Sequence, residues 1–149
     1  MSVKRILFVC TGNTCRSPMA EIILKNKIKN AGVKGFIVQS AGLMANNGDK
    51  MSKNSSLALK KMGYKPYGFK SRQATAKLLL KYDYVICMTE AHKMHISNFP
   101  GVVSIGEITG LGDVPDPYGM GEIEYVKVSH KIEDACNIIL QKIVLGEGE

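Results

Sequence analysis

No stretch of the chain approaches the roughly 20 consecutive apolar residues that a membrane-spanning helix needs. Its opening, MSVKRILFVC, has too short an apolar segment and no small-residue cleavage site for a secretory signal. The expectation is a cytoplasmic chain with no membrane partner. Its four cysteines, Cys10, Cys15, Cys87 and Cys136, are scattered and form no CxxC pair. That argues against structural zinc, and in a cytosolic setting against structural disulfides. The net charge is +7, yet there is no arginine-rich arm and no platform of interleaved aromatics, so a nucleic-acid partner is not expected. The lysines, as in ILKNKIKNAGVK and LKKMGYK, are scattered and read as solvated helix faces whose field attracts anionic substrates. GxxxxGK[ST] and GxGxxG are both absent, which excludes the usual nucleotide loop and the dinucleotide fingerprint. Nor is there an internal repeat, a low-complexity run or a linker dividing the 149 residues, so a single domain over 1–149 is expected.

What is present alternates between apolar runs and amphipathic stretches. VKRILFV (3–9) reads as a buried, central parallel strand. SPMAEIILKNKIKNAG reads as a helix capped by Ser17, with Pro18 at its first position and Ala20, Ile23, Leu24, Ile28 and Ala31 on one face. GFIVQSAG is a second strand ending at Ser40. SSLALKKMG is a short helix stopped by Gly63, and TAKLLLKYD another, capped by Thr75. YDYVICM (82–88) is a third strand, TEAHKMHISNFP a helix and VVSI (102–105) a fourth strand. GEITGLGDVPDPYGMG reads as a long irregular loop, and 122–144 as a helix with a stripe of Val128, Ile132, Ala135, Ile139 and Ile143. This order implies an α/β domain with a four-stranded parallel sheet flanked by helices. Ligands of such sheets sit beyond the carboxyl ends of the strands. The loop after Val9, Ser40 with the loop that follows, and the loop after Ile105 all fall there.

The loop FVCTGNTCRSP places Cys10 and Arg16 around small polar residues, between a strand and a helix. Backbone N–H groups in such a loop can form an anion nest, and the helix N-terminus adds partial positive charge. A thiol at its mouth is expected to have a depressed pKa. Arg16 can grip two phosphate oxygens, and Ser17 can hydrogen-bond the thiolate. A thiolate beneath a bound phosphoryl group is a nucleophile for in-line attack. The leaving group then needs a proton, and DVPDPYG offers Asp113 and Asp116. Prolines flank Asp116, and Tyr118 follows as a wall for the substrate. Cys87 and Cys136 lie in apolar surroundings and read as buried hydrophobes.

VCTGNTCRSPMAE resembles the active-site signature of the low-molecular-weight protein tyrosine phosphatases, V-C-x-G-N-x-C-R-S-P. SAG (40–42), MSKNS (51–55), SRQ (71–73), DYVICM (83–88) and DPYG (116–119) follow in that family's order and spacing. The resemblance implies a phosphocysteine mechanism in a hydrolase of phosphoric monoesters or phosphoamides. Cys10 would be the nucleophile, Arg16 the phosphate-binding arginine and Asp116 the acid and then the base. Thr11, Gly12, Asn13, Thr14, Cys15 and Ser17 would form the substrate-binding loop, with Ser40 bracing Asn13. Cys15 would form a reversible disulfide with Cys10. The implied partners are phosphorylated proteins, with inorganic phosphate as product, for a monomer with no metal and no organic cofactor.

Two positions bear on substrate. Tyrosine-selective members of the family commonly carry Ile or another bulky aliphatic where this chain has Thr14, and the Thr form resembles the bacterial protein-arginine phosphatase branch. A hydroxyl suits a polar guanidinium, whereas a larger aliphatic suits an aromatic ring. After SAG, Leu43 and Met44 replace an aromatic wall, leaving Tyr118 as the main aromatic. Phosphoarginine is therefore favoured over phosphotyrosine. A thiol-based arsenate reductase would need a relay of further cysteines near the site, and Cys87 has no second cysteine a few residues beyond it. A phosphopeptide- or nucleic-acid-binding module would need neither Cys10 nor Asp116. His92 and His95, three apart on a helix, have no further ligand pattern and read as a solvent-facing pair, as does His130 alone on the last helix.

Overall fold

The structure, a computed structural model, describes residues 2–146. Strands β1 (Lys4–Cys10), β2 (Phe36–Gly42), β3 (Tyr84–Cys87) and β4 (Val102–Ser104) form one parallel sheet in the order β2-β1-β3-β4. Between and after them come α1 (Arg16–Asn30), α2 (Lys53–Lys61), α3 (Ala76–Leu79), α4 (Glu90–His95), α5 (Ile105–Thr109) and α6 (Glu122–Ile139). A wider helical turn over Leu140–Leu145 continues α6.

β1 lies at the centre because both of its faces are apolar. Ile6, Phe8 and Cys10 pack into one core with Met19, Ile23 and Leu24 of α1 and with Ile132 and Ile139 of α6. Leu7 and Val9 face the opposite way, onto Leu79, Tyr82 and Ile96. The chain leaves β1 for β2 on one side and returns to β3 on the other, so the crevice beyond Cys10 is a topological switch point. The register sets Cys10 opposite Gly42, and Val9 opposite Cys87.

The expected class holds, as does the order of strands and helices along the chain, with local corrections. Ser17 does not cap α1: the helix starts at Arg16 after Cys15, with no side-chain cap, because the Ser17 oxygen is turned toward Cys10. β2 runs two residues past Ser40, to Gly42. The segments read as helices around 75–83 and 89–100 shrink to the four residues of α3 and the six of α4. α5 interrupts the expected loop after Ile105. Ser104 and Glu107 form a reciprocal capping box at its start, and Gly110 ends it in the left-handed region. Ala31, just past the end of α1, is exposed, whereas the rest of the predicted stripe on α1 is buried; on α6 and its continuation the whole predicted stripe is buried.

Candidate active site

The loop from Thr11 to Cys15 closes over the end of β1 and is tied down from outside. The carbonyls of Cys10, Thr11 and Thr14 accept from the N–H groups of Leu43 (3.0 Å), Met44 (2.9 Å) and Ser52 (2.9 Å). With carbonyls turned outward, the loop N–H groups are left for the interior, and those of Asn13 and Ser17 act on the Cys10 sulfur. Asn13 makes the turn possible by adopting φ 56°, where Asn is one of the few tolerated side chains.

Asn13 is also the hub of a buried network. Its Oδ1 accepts from the Arg72 N–H (2.9 Å), and its Nδ2 donates to Ser17 Oγ (2.8 Å) and Ser40 Oγ (2.9 Å). Ser40 in turn donates to Glu21 Oε1 at 2.7 Å. Because Ser17 Oγ already accepts from Asn13, its own proton is free to point at Cys10 Sγ, 2.8 Å away. Once Cys10 is ionised, the hydroxyl is the donor to the sulfur. Ser40 braces Asn13, as the resemblance implies.

A cavity of about 230 Å³ opens over this loop, lined by Cys10, Thr11, Gly12, Thr14, Arg16 and Asp116, with Cys15 and Tyr118 completing the wall. Arg16 is braced: Nη1 donates to the Val114 carbonyl at 3.1 Å, and Nη2 lies 3.6 Å from Asp116 Oδ2. The Arg16 side chain is 6% exposed and that of Asp116 is 51% exposed, so a fixed cation sits below a solvent-reaching carboxylate. Asp113, the other candidate acid, is used elsewhere: its Oδ1 accepts from the Glu90 N–H at the start of α4.

Burial pushes the Cys10 thiol up, against the expectation of a depressed pKa. The Ser17 hydroxyl and N–H, the Arg16 charge and the Asn13 N–H all pull it back. The ionised sulfur therefore depends on these donors. Cys15 lies beneath the loop, its sulfur 3.4 Å from the Tyr125 hydroxyl and 3.5 Å from Ser52 Oγ. All four cysteines are free and buried.

The structure moves Met44, which stands 80% exposed in a neighbouring groove and does not line the cavity over the loop. Tyr118 lines the cavity and is 80% exposed. His92 departs further from the sequence reading. Only His95 and His130 of the three histidines are exposed. His92 is buried beside the site, with Nε2 2.9 Å from Thr11 Oγ1 and Nδ1 without a partner. Burial, then the nearby Arg16 charge, lowers its pKa to about 4, so the ring is neutral.

Gly42 was visible as part of SAG but not as a requirement of the site. A Cβ there would meet Thr11 O at 2.6 Å and Asn13 N at 2.9 Å, so β2 can press against the loop only with glycine. Glu21, four residues beyond Ser17, holds Ser40 from the buried side of α1. Among the described residues, no cluster of three or more His, Cys, Asp or Glu could hold a metal ion.

A family model described as low molecular weight phosphotyrosine protein phosphatase matches residues 5–145. A protein-arginine-phosphatase of Geobacillus stearothermophilus is 35% identical over 147 residues, covering 93% of this chain and 95% of that one. A low molecular weight protein-tyrosine-phosphatase of Bacillus subtilis (strain 168) is 32% identical over 149 residues, covering 93% and 94%. Among solved structures, the low molecular weight protein tyrosine phosphatase from T. tengcongensis superposes with a TM-score of 0.87 at 37% identity, covering 94% of this chain and 99% of that one.

Proposed function

We propose that this chain, which belongs to the low molecular weight phosphotyrosine protein phosphatase family, is a cysteine-dependent protein phosphatase that favours phosphoarginine over phosphotyrosine. The observation that carries the reaction is convergence. The Cys10 sulfur, the Arg16 guanidinium and the Asp116 carboxyl line one cavity of about 230 Å³, with the Ser17 hydroxyl directed at the sulfur.

The steps follow from that arrangement. A phosphoryl group enters with its oxygens on the loop N–H groups and the Arg16 fork. Cys10, having lost its proton, attacks phosphorus from below. A sulfur–phosphorus bond forms as the bond to the guanidine nitrogen, or to the phenol oxygen, breaks. Asp116 in its acid form gives its proton to that nitrogen or oxygen. The resulting carboxylate takes a proton from water, whose oxygen attacks the phosphocysteine. Inorganic phosphate leaves, and Cys10 departs as a thiolate held by Ser17, Arg16 and the N–H groups of Asn13 and Ser17. The reaction as written uses no metal or organic cofactor. A cytoplasmic monomer acting on phosphorylated proteins is part of the same reading.

The preference for phosphoarginine rests on Thr14, whose side chain bears a hydroxyl and which lines the cavity. The likeness to the Geobacillus protein supports it. Tyr118 and the relatives named as tyrosine phosphatases favour phosphotyrosine as the second reading.

The test is hydrolysis of a phosphoarginine and a phosphotyrosine peptide side by side, with Cys10→Ser as blank and Thr14→Ile as the selectivity variant. The expected result is a higher kcat/KM for phosphoarginine, with the ratio shrinking about tenfold or more in Thr14→Ile. Faster phosphotyrosine turnover overturns the preference and leaves the phosphatase. No hydrolysis above the blank overturns the phosphatase.

A further inference from the structure

Beside the phosphate cavity lies a second one, of about 440 Å³, between the loop after β2, the start of α3 and the segment running from α4 to Phe99. Its floor includes Leu79 and Ile96, which belong to the core on that side of the sheet. Leu43, Ala74 and Phe99 line it and pack on the same core. No Lys, Arg, Asp or Glu is among its lining residues, in a chain of net charge +7. The contrast is the groove beside α1, lined by Lys25, Lys29 and Lys65.

Thr11 lines both the apolar groove and the phosphate cavity, so it is the partition between them. The partition is held from behind by His92. The buried His92 Nδ1 has no partner, and a bare lone pair there costs less than an orphaned N–H. The proton therefore belongs on Nε2, which donates to Thr11 Oγ1. Thr11 stays fixed, and its own O–H is free at the junction. Two cavities that share one fixed wall can be reached by neighbouring side chains of a single extended chain, which rises about 3.3 Å per residue.

We infer that this groove is a subsite for an apolar side chain of the substrate polypeptide, one or two residues from the phosphorylated one. The inference rests on the reading of the chain as a protein phosphatase. It commits to the substrate because the groove shares Thr11 with the cavity that a phosphorylated residue must enter, and because its lining holds no Lys, Arg, Asp or Glu.

The test is a set of phosphopeptides identical except for Leu or Ser at the two positions on either side of the phosphorylated residue, run with the isolated phosphoamino acid. Leucine at one of these positions is expected to raise kcat/KM about tenfold, mainly through KM. Phe99→Ala is expected to remove most of that preference. Because Phe99 also packs on the core, Ala76→Glu, an exposed position at the groove's mouth, provides a second variant, expected to reverse the Leu-to-Ser ratio. Equal rates for all flanking residues, with the isolated phosphoamino acid hydrolysed normally, overturn the subsite and leave the phosphatase. No hydrolysis of any substrate removes the phosphatase reading and the subsite with it. A dimer in sedimentation that Ala76→Glu disperses would make a second copy of the chain the occupant and also overturn the proposal.

Discussion

Cys10 and Cys87 end neighbouring parallel strands, and both are buried. Their surroundings differ. Cys87 packs in the core on the opposite face of the sheet, where burial outweighs the Lys93 charge and pushes its thiol up to about 12. Burial pushes the Cys10 thiol up as well, but there Ser17, Arg16 and the N–H groups of Ser17 and Asn13 work against it. Position at a strand's carboxyl end does not make a nucleophile. What sets Cys10 apart is the loop that follows, which brings the Ser17 and Asn13 donors and Arg16 to its sulfur. After Cys87 the chain goes instead to Met88 and the start of α4.

The sharpest break in the comparison is substitution of the sulfurs themselves. Cys10→Ser is expected to lower phosphatase turnover by about 10⁴-fold or more while retaining phosphate binding. Cys87→Ala leaves the chemistry in place, and its cost is read by thermal unfolding. Asp116→Asn comes next: loss of the acid and base lowers kcat by about 10² to 10⁴. The loss is smaller for an activated aryl phosphate, whose leaving group needs less protonation. Steady-state rates on the two substrates check this.

Gly42→Ala removes no chemical group, yet its Cβ would press on Thr11 O and Asn13 N. Activity is expected to fall about tenfold, with a stability loss of about 1–3 kcal/mol measured by denaturant unfolding. Ser17→Ala withdraws the hydroxyl donor from Cys10 and leaves the sulfur in place. The thiolate loses a stabilising partner, so the Cys10 pKa rises further. Alkylation at neutral pH slows about tenfold, and its pH profile moves to higher pH.

The smallest effect concerns His92, whose pKa is lowered to about 4 by burial and by Arg16. Between its unfolded value near 6.5 and about 4, the unfolded chain binds the proton that the folded chain excludes. Stability is therefore full above that window and is lost as pH falls through it, by about 1–3 kcal/mol. His92→Gln is expected to flatten that part of the profile while retaining a donor for Thr11.

The parts of the site that the sequence made legible are the local ones. Cys10, Arg16 and Ser17 lie within one strand–loop–helix turn, and the prolines around Asp116 mark its loop. The strand and helix order was legible too, because apolar runs and amphipathic stripes alternate cleanly. What stayed hidden depends on distant segments meeting. His92 reads as a surface residue on a short helix until β3 is placed beside β1, which brings it under Thr11. Gly42 reads as the end of a strand until the loop is seen pressed against it. The capping box Ser104–Glu107 was written in the chain, but the glycines after it masked the short helix α5. The direction of the Cys10 shift is hidden from the sequence for a similar reason: the donors are visible locally, whereas burial comes from the whole core.

Whether Cys10, and not the buried Cys87 beside it, carries the phosphoryl group is decided by mixing the enzyme with a phosphorylated peptide, quenching within the first turnover and locating the phosphoryl group by mass spectrometry. Phosphocysteine is expected at Cys10, none at Cys87 and none in Cys10→Ser. Turnover with no phosphoryl group on Cys10, or with one on another residue, would contradict that assignment.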